Sequence, residues 1–154
     1  MTGIEAFISI THLHIYNNQI TNLDLSQNTL LEGLSCDNNQ LTALDLNQNL
    51  VLSSLTCTNN QLVDLDLSNN VNLIFFQCGN SELQCLNIAN GNNLNLTDCY
   101  ISDCPLLYCI EVDDSIYMSN NLEQHFNPFN SQYFFSNNCI NNCSSSISSV
   151  KEKK

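Results

Sequence analysis

The chain has 154 residues, and its 15 Asp and Glu against 3 Lys and Arg give a formal net charge of -12 at pH 7. Because such a surface repels DNA, RNA and anionic membranes, we expect none of them as a binding partner. The length fits one domain, and no apolar run of about 18 residues occurs that could insert into a membrane.

Residues 1–9 lead into a repetitive pattern and form the N-terminal edge of the predicted domain. They have neither the basic nor the apolar region of a signal peptide, so the chain either stays inside the cell or has its leader missing here. Nine cysteines favour an oxidising compartment. We therefore expect an extracellular or cell-surface location, with the leader absent from this sequence.

Residues 10–93 repeat every 21 residues, and each repeat consists of two similar halves. The motif L-x-x-L-x-[LC]-x-x-N starts alternately 10 and 11 residues apart, as in LTALDLNQN at 41–49 and LSSLTCTNN at 52–60. Its last L-x-L has the period of a strand with inward apolar side chains. This period predicts an all-β-rich solenoid with short parallel strands on two faces of each 21-residue coil.

Cysteine and asparagine occupy fixed inward positions of the repeat. Cys36, Cys57 and Cys78 stand where the other half-repeat has Leu or Ile, so we interpret them as buried apolar groups rather than metal ligands. The Asn that ends each half-repeat is expected to satisfy backbone groups at a corner and to tolerate a left-handed conformation there. These residues are Asn18, Asn39 and Asn60 in one column and Asn28, Asn49 and Asn70 in the other.

Asp24, Asp45 and Asp66, followed by Asn87, form the outward column on one face. Adjacent carboxylates about 5 Å apart in water repel by about 1 kcal/mol per pair, which an exposed face tolerates. Bound calcium would relieve this repulsion. One carboxylate per coil without a glycine-rich loop favours a solvated acidic face, and the three aspartates stay weak calcium candidates.

The outward column on the other face is nearly uncharged and consists of His14, Ser35, Thr56 and Gln77. Near its end, Ile74 and Phe75 occupy positions that are polar or glycine in the preceding coils. Two exposed apolar neighbours can anchor a partner, and the alternative is that residues 73–76 pack under a terminal cap. The candidate binding residues are His14, Tyr16, Ile74, Phe75 and Gln77.

No constellation of residues supports catalysis. His12 and His14 lie two apart, but the pattern places no carboxylate or cysteine to complete a metal site, and we interpret them as surface histidines. His125 has no nucleophile at a recognisable spacing, and no G-x-S-x-G, H-E-x-x-H or phosphate-binding loop occurs. We predict a protein that is not an enzyme and has no cofactor.

The segments LEGLSCDNNQLTALDLNQN at 31–49 and LSSLTCTNNQLVDLDLSNN at 52–70 resemble a bacterial leucine-rich repeat subclass, IRREKO, with consensus LxxLxLxxNxLxxLDLxx. The opening TGIEAF at 2–7 is similar to the stretch that leads into the first repeat of these proteins. The resemblance implies a leucine-rich repeat fold over nearly the whole chain.

After the repeats, residues 94–143 are predicted to form C-terminal coils and a cap. NGNN at 90–93, CIEVDD at 109–114 and FSNNC at 135–139 resemble the terminal cap of secreted bacterial surface proteins. That resemblance implies a disulfide between Cys109 and Cys139, whose loop would add roughly 3 kcal/mol of stability. Residues 144–154 are Ser-rich and are predicted to be a disordered tail.

The remaining cysteines depart from that pattern. They are Cys85, Cys99, Cys104 and Cys143. Cys99, Cys104 and Cys143 cluster with Cys109 and Cys139 after the repeats and are disulfide candidates as a group. Cys104 can also be interpreted as a replacement of the repeat Asn, and a second bridge through Cys99 or Cys143 stays open.

These observations predict a monomeric, non-catalytic module of a secreted or cell-surface bacterial protein that binds a protein or a glycan. A regular ladder gives a rigid surface whose affinity comes from a few anchors. Two alternatives stay open, namely a structural spacer or stability unit within a larger surface protein, and a calcium-dependent adhesion module on the Asp column.

Overall fold

The structure is a computed structural model that describes residues 3–79, 81–121 and 133–139. Its coils stack into a solenoid with two parallel sheets, one of five strands and one of four. The predicted fold class is therefore confirmed. Residues 144–154, predicted to be a disordered tail, lie outside the described residues, as do His125 and Cys143.

The strands are short, and their bounds follow the repeat. In chain order they are β1 His12–His14, β2 Gly33–Ser35, β3 Ser54–Thr56, β4 Asp64–Asp66, β5 Phe75–Gly79, β6 Cys85–Asn87, β7 Asp98–Ser102, β8 Cys109–Glu111 and β9 Phe134–Ser136. The five-stranded sheet has the order β1-β2-β3-β5-β7, and the four-stranded sheet has the order β4-β6-β8-β9. Two 3-10 helices at Ile4–Ala6 and Asn93–Asn95 and helix α1 at Ser115–Asn121 complete the described elements.

The register of the strands shows where the repeat is regular and where it changes. Leu13, Leu34 and Leu55 pair in successive coils at the 21-residue interval, and Leu55 then pairs with Phe76. The interval lengthens after β5, since Phe76 pairs with Cys99. The additional residues are accommodated around the 3-10 helix at Asn93–Asn95.

The four-stranded face differs from the prediction in the first two coils. Residues 22–24 and 43–45 correspond to β4 by the repeat but are not assigned as strands. Side chains supply coil-to-coil hydrogen bonds at the adjacent corner, where the Asn49 and Asn70 amides each donate to two carbonyls of preceding residues. Strand pairing on this face begins at β4, which pairs with β6.

The core is a column of inward leucines that continues through every regular coil. Leu31, Leu52 and Leu73 have no exposed surface. Burying each such side chain stabilises the fold by about 1.5–3 kcal/mol. Because each coil packs only on its neighbours, the terminal coils need covering, and Met118 of α1 is fully buried at the C-terminal end.

The C-terminal end also carries the predicted disulfide. Cys109 on β8 is bonded to Cys139, with Cα atoms 6.0 Å apart and a sequence separation of 30. Cys85 on the neighbouring β6 is likewise disulfide-bonded and forms a buried cluster with this pair. The covalent links therefore concentrate on the four-stranded sheet, at its C-terminal end.

We expect a methyl group at position 79 to destabilise the protein. A Cβ built on Gly79 would lie 2.8 Å from the backbone oxygen of Ser102, which cannot rotate away. Gly79→Ala should therefore lower the free energy of unfolding by about 1–3 kcal/mol, measured by denaturant unfolding. Gly33→Ala is the matched control, because there the close atom belongs to the His12 ring, which can turn aside. Equal effects of the two substitutions would contradict this explanation.

Candidate binding face

The asparagines at the corner after the five-stranded sheet have a structural role, as the sequence predicted. The Asn39 amide nitrogen donates to the carbonyls of Ile15, Cys36 and Asp37, and its Oδ1 accepts from the Ile20 N–H. Asn60 repeats the arrangement one coil later. These amides are occupied and are not available to a ligand.

The left-handed conformation lies one residue earlier than expected. Asn17, Asn38 and Asn59 have φ values of 56°, 55° and 56°. The asparagines that follow them, Asn18, Asn39 and Asn60, supply the hydrogen bonds. The sequence analysis assigned both the left-handed conformation and the hydrogen bonding to one residue, but two consecutive asparagines divide them. The first adopts the left-handed conformation, and the side chain of the second donates to the carbonyls of the corner.

The other asparagine column is less completely bonded. Asn28, Asn49 and Asn70 have no exposed surface, and each amide nitrogen donates to two backbone carbonyls. Their Oδ1 atoms are buried and accept no hydrogen bond from the described residues. These side chains also hold neighbouring segments together rather than facing solvent.

The cysteines Cys36, Cys57 and Cys78 are free, buried thiols, which confirms the interpretation of them as inward apolar groups. Burial and then the nearby Asp37 carboxylate raise the pKa of the Cys36 thiol to about 12. A thiol held in its protonated form is a poor nucleophile and a poor metal ligand. The ladder therefore contributes packing rather than chemistry.

Two of the disulfide candidates were predicted wrongly. Cys99 and Cys104 are buried free thiols, so neither forms a second bridge. Cys99 instead continues the column of Leu34, Leu55 and Phe76, because the lengthened coil shifts the register. Cys104 occupies the place of the repeat Asn, where its thiol donates to the Ser102 carbonyl at 3.4 Å.

We expect the free thiols to be unreactive until the protein unfolds. Ellman's reagent should modify Cys36 and its neighbours more than about a thousandfold more slowly in the native protein than in guanidinium chloride, because exposure requires unfolding.

Since the pKa of Cys36 is raised from 9.0 to about 12, its contribution to stability is complete below pH 9 and is lost as pH rises toward 12. Fast native-state modification at neutral pH would contradict this arrangement.

The outward aspartates of the four-stranded face accept backbone hydrogen bonds within their own turns. The Oδ1 atoms of Asp24, Asp45 and Asp66 each accept a hydrogen bond at 3.0 Å from the backbone N–H two residues later. Asn87 makes the same bond with an amide oxygen, so the turn does not require a charge. A shallow cleft of about 310 Å³ lies beside Asp24 and Asp45.

Because these carboxylates are spread over three coils with one carboxylate in each, we expect no specific calcium site. The thermal midpoint measured in millimolar calcium should differ by less than about 1 °C from that in a chelator, whereas ligand binding to the folded state alone would raise it. A rise of several degrees that is lost in Asp45→Asn would contradict this expectation and support the calcium candidates.

The five candidate binding residues lie on one face but not in one patch. His14 and Tyr16 lie at β1 and just after it, whereas Ile74, Phe75 and Gln77 lie at β5. These strands are three positions apart in the sheet, a separation of about 14 Å at 4.8 Å per strand. The His12 and His14 rings stack at a centroid distance of 6.5 Å.

Between these two groups the face is occupied by a polar network. The half-buried Asp37 carboxylate accepts hydrogen bonds from the Ser35 hydroxyl at 3.1 Å, from the Thr58 N–H at 2.8 Å, and from the Thr56 hydroxyl. Because these groups satisfy one another, the middle of the face offers little to a partner. The C-terminal end of the face is different.

At that end the structure brings together an apolar group that the sequence only partly indicated. Ile74 is 48% exposed, and Phe75 is half-buried against Tyr100, with ring centroids 6.2 Å apart. The neighbouring Leu73 and Phe76 are buried in the core. Ile74 and Phe75 therefore lie at the surface of the described structure rather than packing inward with their neighbours.

Tyr100 was missed because a strict 21-residue period misplaces it. It pairs with Gln77 across the lengthened coil, and its hydroxyl donates to Asp98 Oδ1 at 3.3 Å.

A second missed feature is a line of exposed apolar side chains on the segments that lead into the five-stranded sheet. Its members are Leu30, Leu50, Val51 and Val71. The repeat consensus leaves these positions variable, so it does not reveal that several coils carry an exposed apolar residue there.

The face also lacks basic side chains, which is a property of the sequence itself. Residues 1–150 contain no Lys or Arg, because all three lysines fall within residues 151–154. The described surface around β5 and β7 thus carries carboxylates with no Lys or Arg of this segment to neutralise them. In the part of the chain that the structure describes, no helix is long and apolar enough to cross a bilayer.

Stacked parallel strands, an inward ladder of leucines and cysteines, and hydrogen-bonded asparagine corners define a leucine-rich-repeat-like β-solenoid. Neither a known protein family nor a curated protein matches the sequence. Among solved structures, the chain is similar to the functional domain of InlJ from Listeria monocytogenes, which is described as including a cysteine ladder.

That similarity has a TM-score of 0.58 and a sequence identity of 25%, and it covers 89% of this chain. This chain matches 37% of the InlJ chain, so it spans little more than a third of that protein's structure. This chain has its own column of buried cysteines at the 21-residue interval, Cys36, Cys57 and Cys78.

Proposed function

We propose that this chain is a non-catalytic interaction module that binds a partner protein through the C-terminal end of its five-stranded sheet. The observation that carries the proposal is the surface group on the parallel sheet that consists of exposed Ile74, exposed Tyr100 and half-buried Phe75. Gln77, which is exposed beside Tyr100, supplies a polar contact at its border. Exposed aromatic and apolar side chains bordered by polar groups are typical of binding hot spots.

His14 and Tyr16 form a second, smaller part of the proposed surface. Both are exposed, and they lie on the same face as the group at β5. A partner that contacts both ends would have to span three strands. We therefore assign the principal anchors to the C-terminal end and expect substitutions of His14 and Tyr16 to weaken binding less.

We place the module outside a bacterial cell, as a monomer. Two observations support this location: the disulfide between Cys109 and Cys139, and the similarity to a domain from a bacterium. The net charge of -12 opposes self-association and so supports the monomer. A mass map of the cysteines in non-reduced protein from its native source tests the location, since free thiols at these two positions would contradict it.

The binding role is tested by capture from extracts of the native source with wild-type protein and the double variant Ile74→Ser with Phe75→Ser. Specific partners should be retained by the wild type and lost by the variant, while circular dichroism shows that both are folded. The matched control is Leu106→Ser with Tyr108→Ser, which removes two exposed apolar side chains that precede a strand of the other sheet.

Each other outcome decides against the proposal. Equal capture by wild type and the β5 variant would show that this group does not bind. Loss with both double variants would indicate a general effect of surface polarity. If the wild type captures nothing above background, a structural spacer becomes the better interpretation of the same solenoid.

A further inference from the structure

The group at the C-terminal end of the five-stranded sheet contains a carboxylate between two aromatic side chains. Phe75 on β5 pairs directly with Asp98 on β7, which places them on neighbouring strands about 4.8 Å apart. Tyr100 lies two residues beyond Asp98 on the same side of β7, and its ring contacts that of Phe75. Resting on the proposed function, we infer that this trio binds an Arg or Lys side chain of the partner.

The Asp98 carboxylate is held in place but not neutralised. Its Oδ1 accepts the Tyr100 hydroxyl at 3.3 Å, and its Oδ2 accepts the Thr97 hydroxyl at 3.1 Å. Two neutral donors orient the group without supplying a positive charge. Each carboxylate oxygen has a further lone pair, so a guanidinium or ammonium group can add charge-assisted hydrogen bonds.

The aromatic rings supply the rest of a cation site. Phe75 is half-buried and Tyr100 is 40% exposed, so both rings present surface to an incoming side chain. The aliphatic stem of Arg or Lys packs against such rings, and the cation is attracted by the ring faces. Arg fits best because its planar group can stack on a ring while it bonds to the carboxylate.

Charge complementarity selects the class of partner. Residues 1–150 contain no Lys or Arg, and the net charge of the chain is -12. This field draws basic proteins toward the surface and repels acidic ones. The occupant is therefore a basic segment of a partner protein, with one Arg or Lys inserted beside Asp98.

The test uses fluorescence anisotropy in physiological salt with a fluorescein-labelled peptide of Gly-Ser-Arg repeats. Asp98→Asn and Phe75→Leu should each raise Kd by about three- to tenfold, because they remove the carboxylate or a ring face. Asp45→Asn is the matched control, since it removes one carboxylate from the other face, and it should raise Kd by less than about twofold. Tyr100→Leu is a second ring variant in case Phe75→Leu disturbs folding.

Three results would overturn the inference. Equal effects of Asp45→Asn and Asp98→Asn would show a general attraction to an acidic surface. Equal binding of a Gly-Ser-Gln peptide would show that the ligand need not be charged. The third result is that the wild type does not bind the Arg peptide. The extract capture separates this inference from the proposed function. If Ile74→Ser with Phe75→Ser loses the native partner while Asp98→Asn keeps it, binding at this end stands and the cation site does not.

Discussion

Asn60→Leu is expected to cost about 2–6 kcal/mol of stability, a large fraction of the stability of an ordinary domain. Leucine has a similar size but neither donates nor accepts hydrogen bonds. The carbonyl of Cys57 and the N–H of Leu41 would lose their partner inside the corner. The carbonyls of Cys36 and Thr58 would each lose one hydrogen bond but keep another, from the Asn39 amide and the Asn38 N–H. Each buried group left without a partner costs about 1–3 kcal/mol.

Two further variants make this prediction specific. Asn60→Cys should cost less than Asn60→Leu, because Cys104 occupies the equivalent corner and donates to a carbonyl two residues earlier. Asn69→Leu, at an exposed asparagine, should cost less than about 1 kcal/mol. Denaturant unfolding of the three variants gives the comparison. If Asn60→Leu and Asn69→Leu have similar unfolding free energies, the asparagine corner is not what holds successive coils.

Removal of the disulfide in Cys109→Ala with Cys139→Ala should lower stability by about 3–4 kcal/mol through the unfolded state. The bond closes a loop of 30 residues, which restricts the unfolded chain, and it fastens β8 to the end of the described structure. The melting temperature should fall by about 10 °C, since each kcal/mol shifts a domain of this size by about 2–4 °C. Calorimetry measures the change.

Cys104→Ser is the control for loss of a cysteine outside this bond. Cys104 is a free thiol that donates to a backbone carbonyl, and a serine hydroxyl can make the same contact. Its melting temperature should fall by less than about 3 °C. An unchanged midpoint in the Cys109 and Cys139 double variant would show that this bond does not stabilise the fold.

The regular part of this fold could be predicted from the sequence because the same physical requirement recurs in every coil. An apolar residue in the middle of each short strand has to face inward, and Leu34, Leu55 and Phe76 are buried in this way. The roles of Cys36 and Asn60 followed from their places in the repeat. A residue that occurs at one fixed position in successive coils experiences one environment.

The irregular part could not be predicted in the same way. The two-residue lengthening between Phe75 and Asp98 moves Tyr100 beside Gln77, a shift that only the three-dimensional register reveals. The same shift turned Cys99 into a core residue. The exposure of Ile74 likewise depends on which side of the chain faces the neighbouring coil, and the sequence allowed either packing or exposure. The candidate site lies where the period changes, so the repeat alone could not define it.

The structure separates stability from recognition along the solenoid. Asparagine corners, leucine columns and protonated thiols hold the coils together from inside, and the Asp37 network occupies the middle of the outer face. Rigid elements of this kind hold binding groups without a large loss of conformational entropy on binding. The exposed aromatic and apolar groups at the end of the five-stranded sheet are the part of this scaffold that we propose as the binding site.

The central claim is that the C-terminal end of the five-stranded sheet contacts the partner. The most direct measurement places a photo-crosslinking amino acid at Gln77 or at Asp45, which lie on different faces of the solenoid and are both exposed. Each protein is then irradiated in native extract. We predict a discrete crosslinked adduct from position 77 and none from position 45. Adducts of equal yield at both positions, or an adduct from position 45 alone, would contradict the proposed binding face.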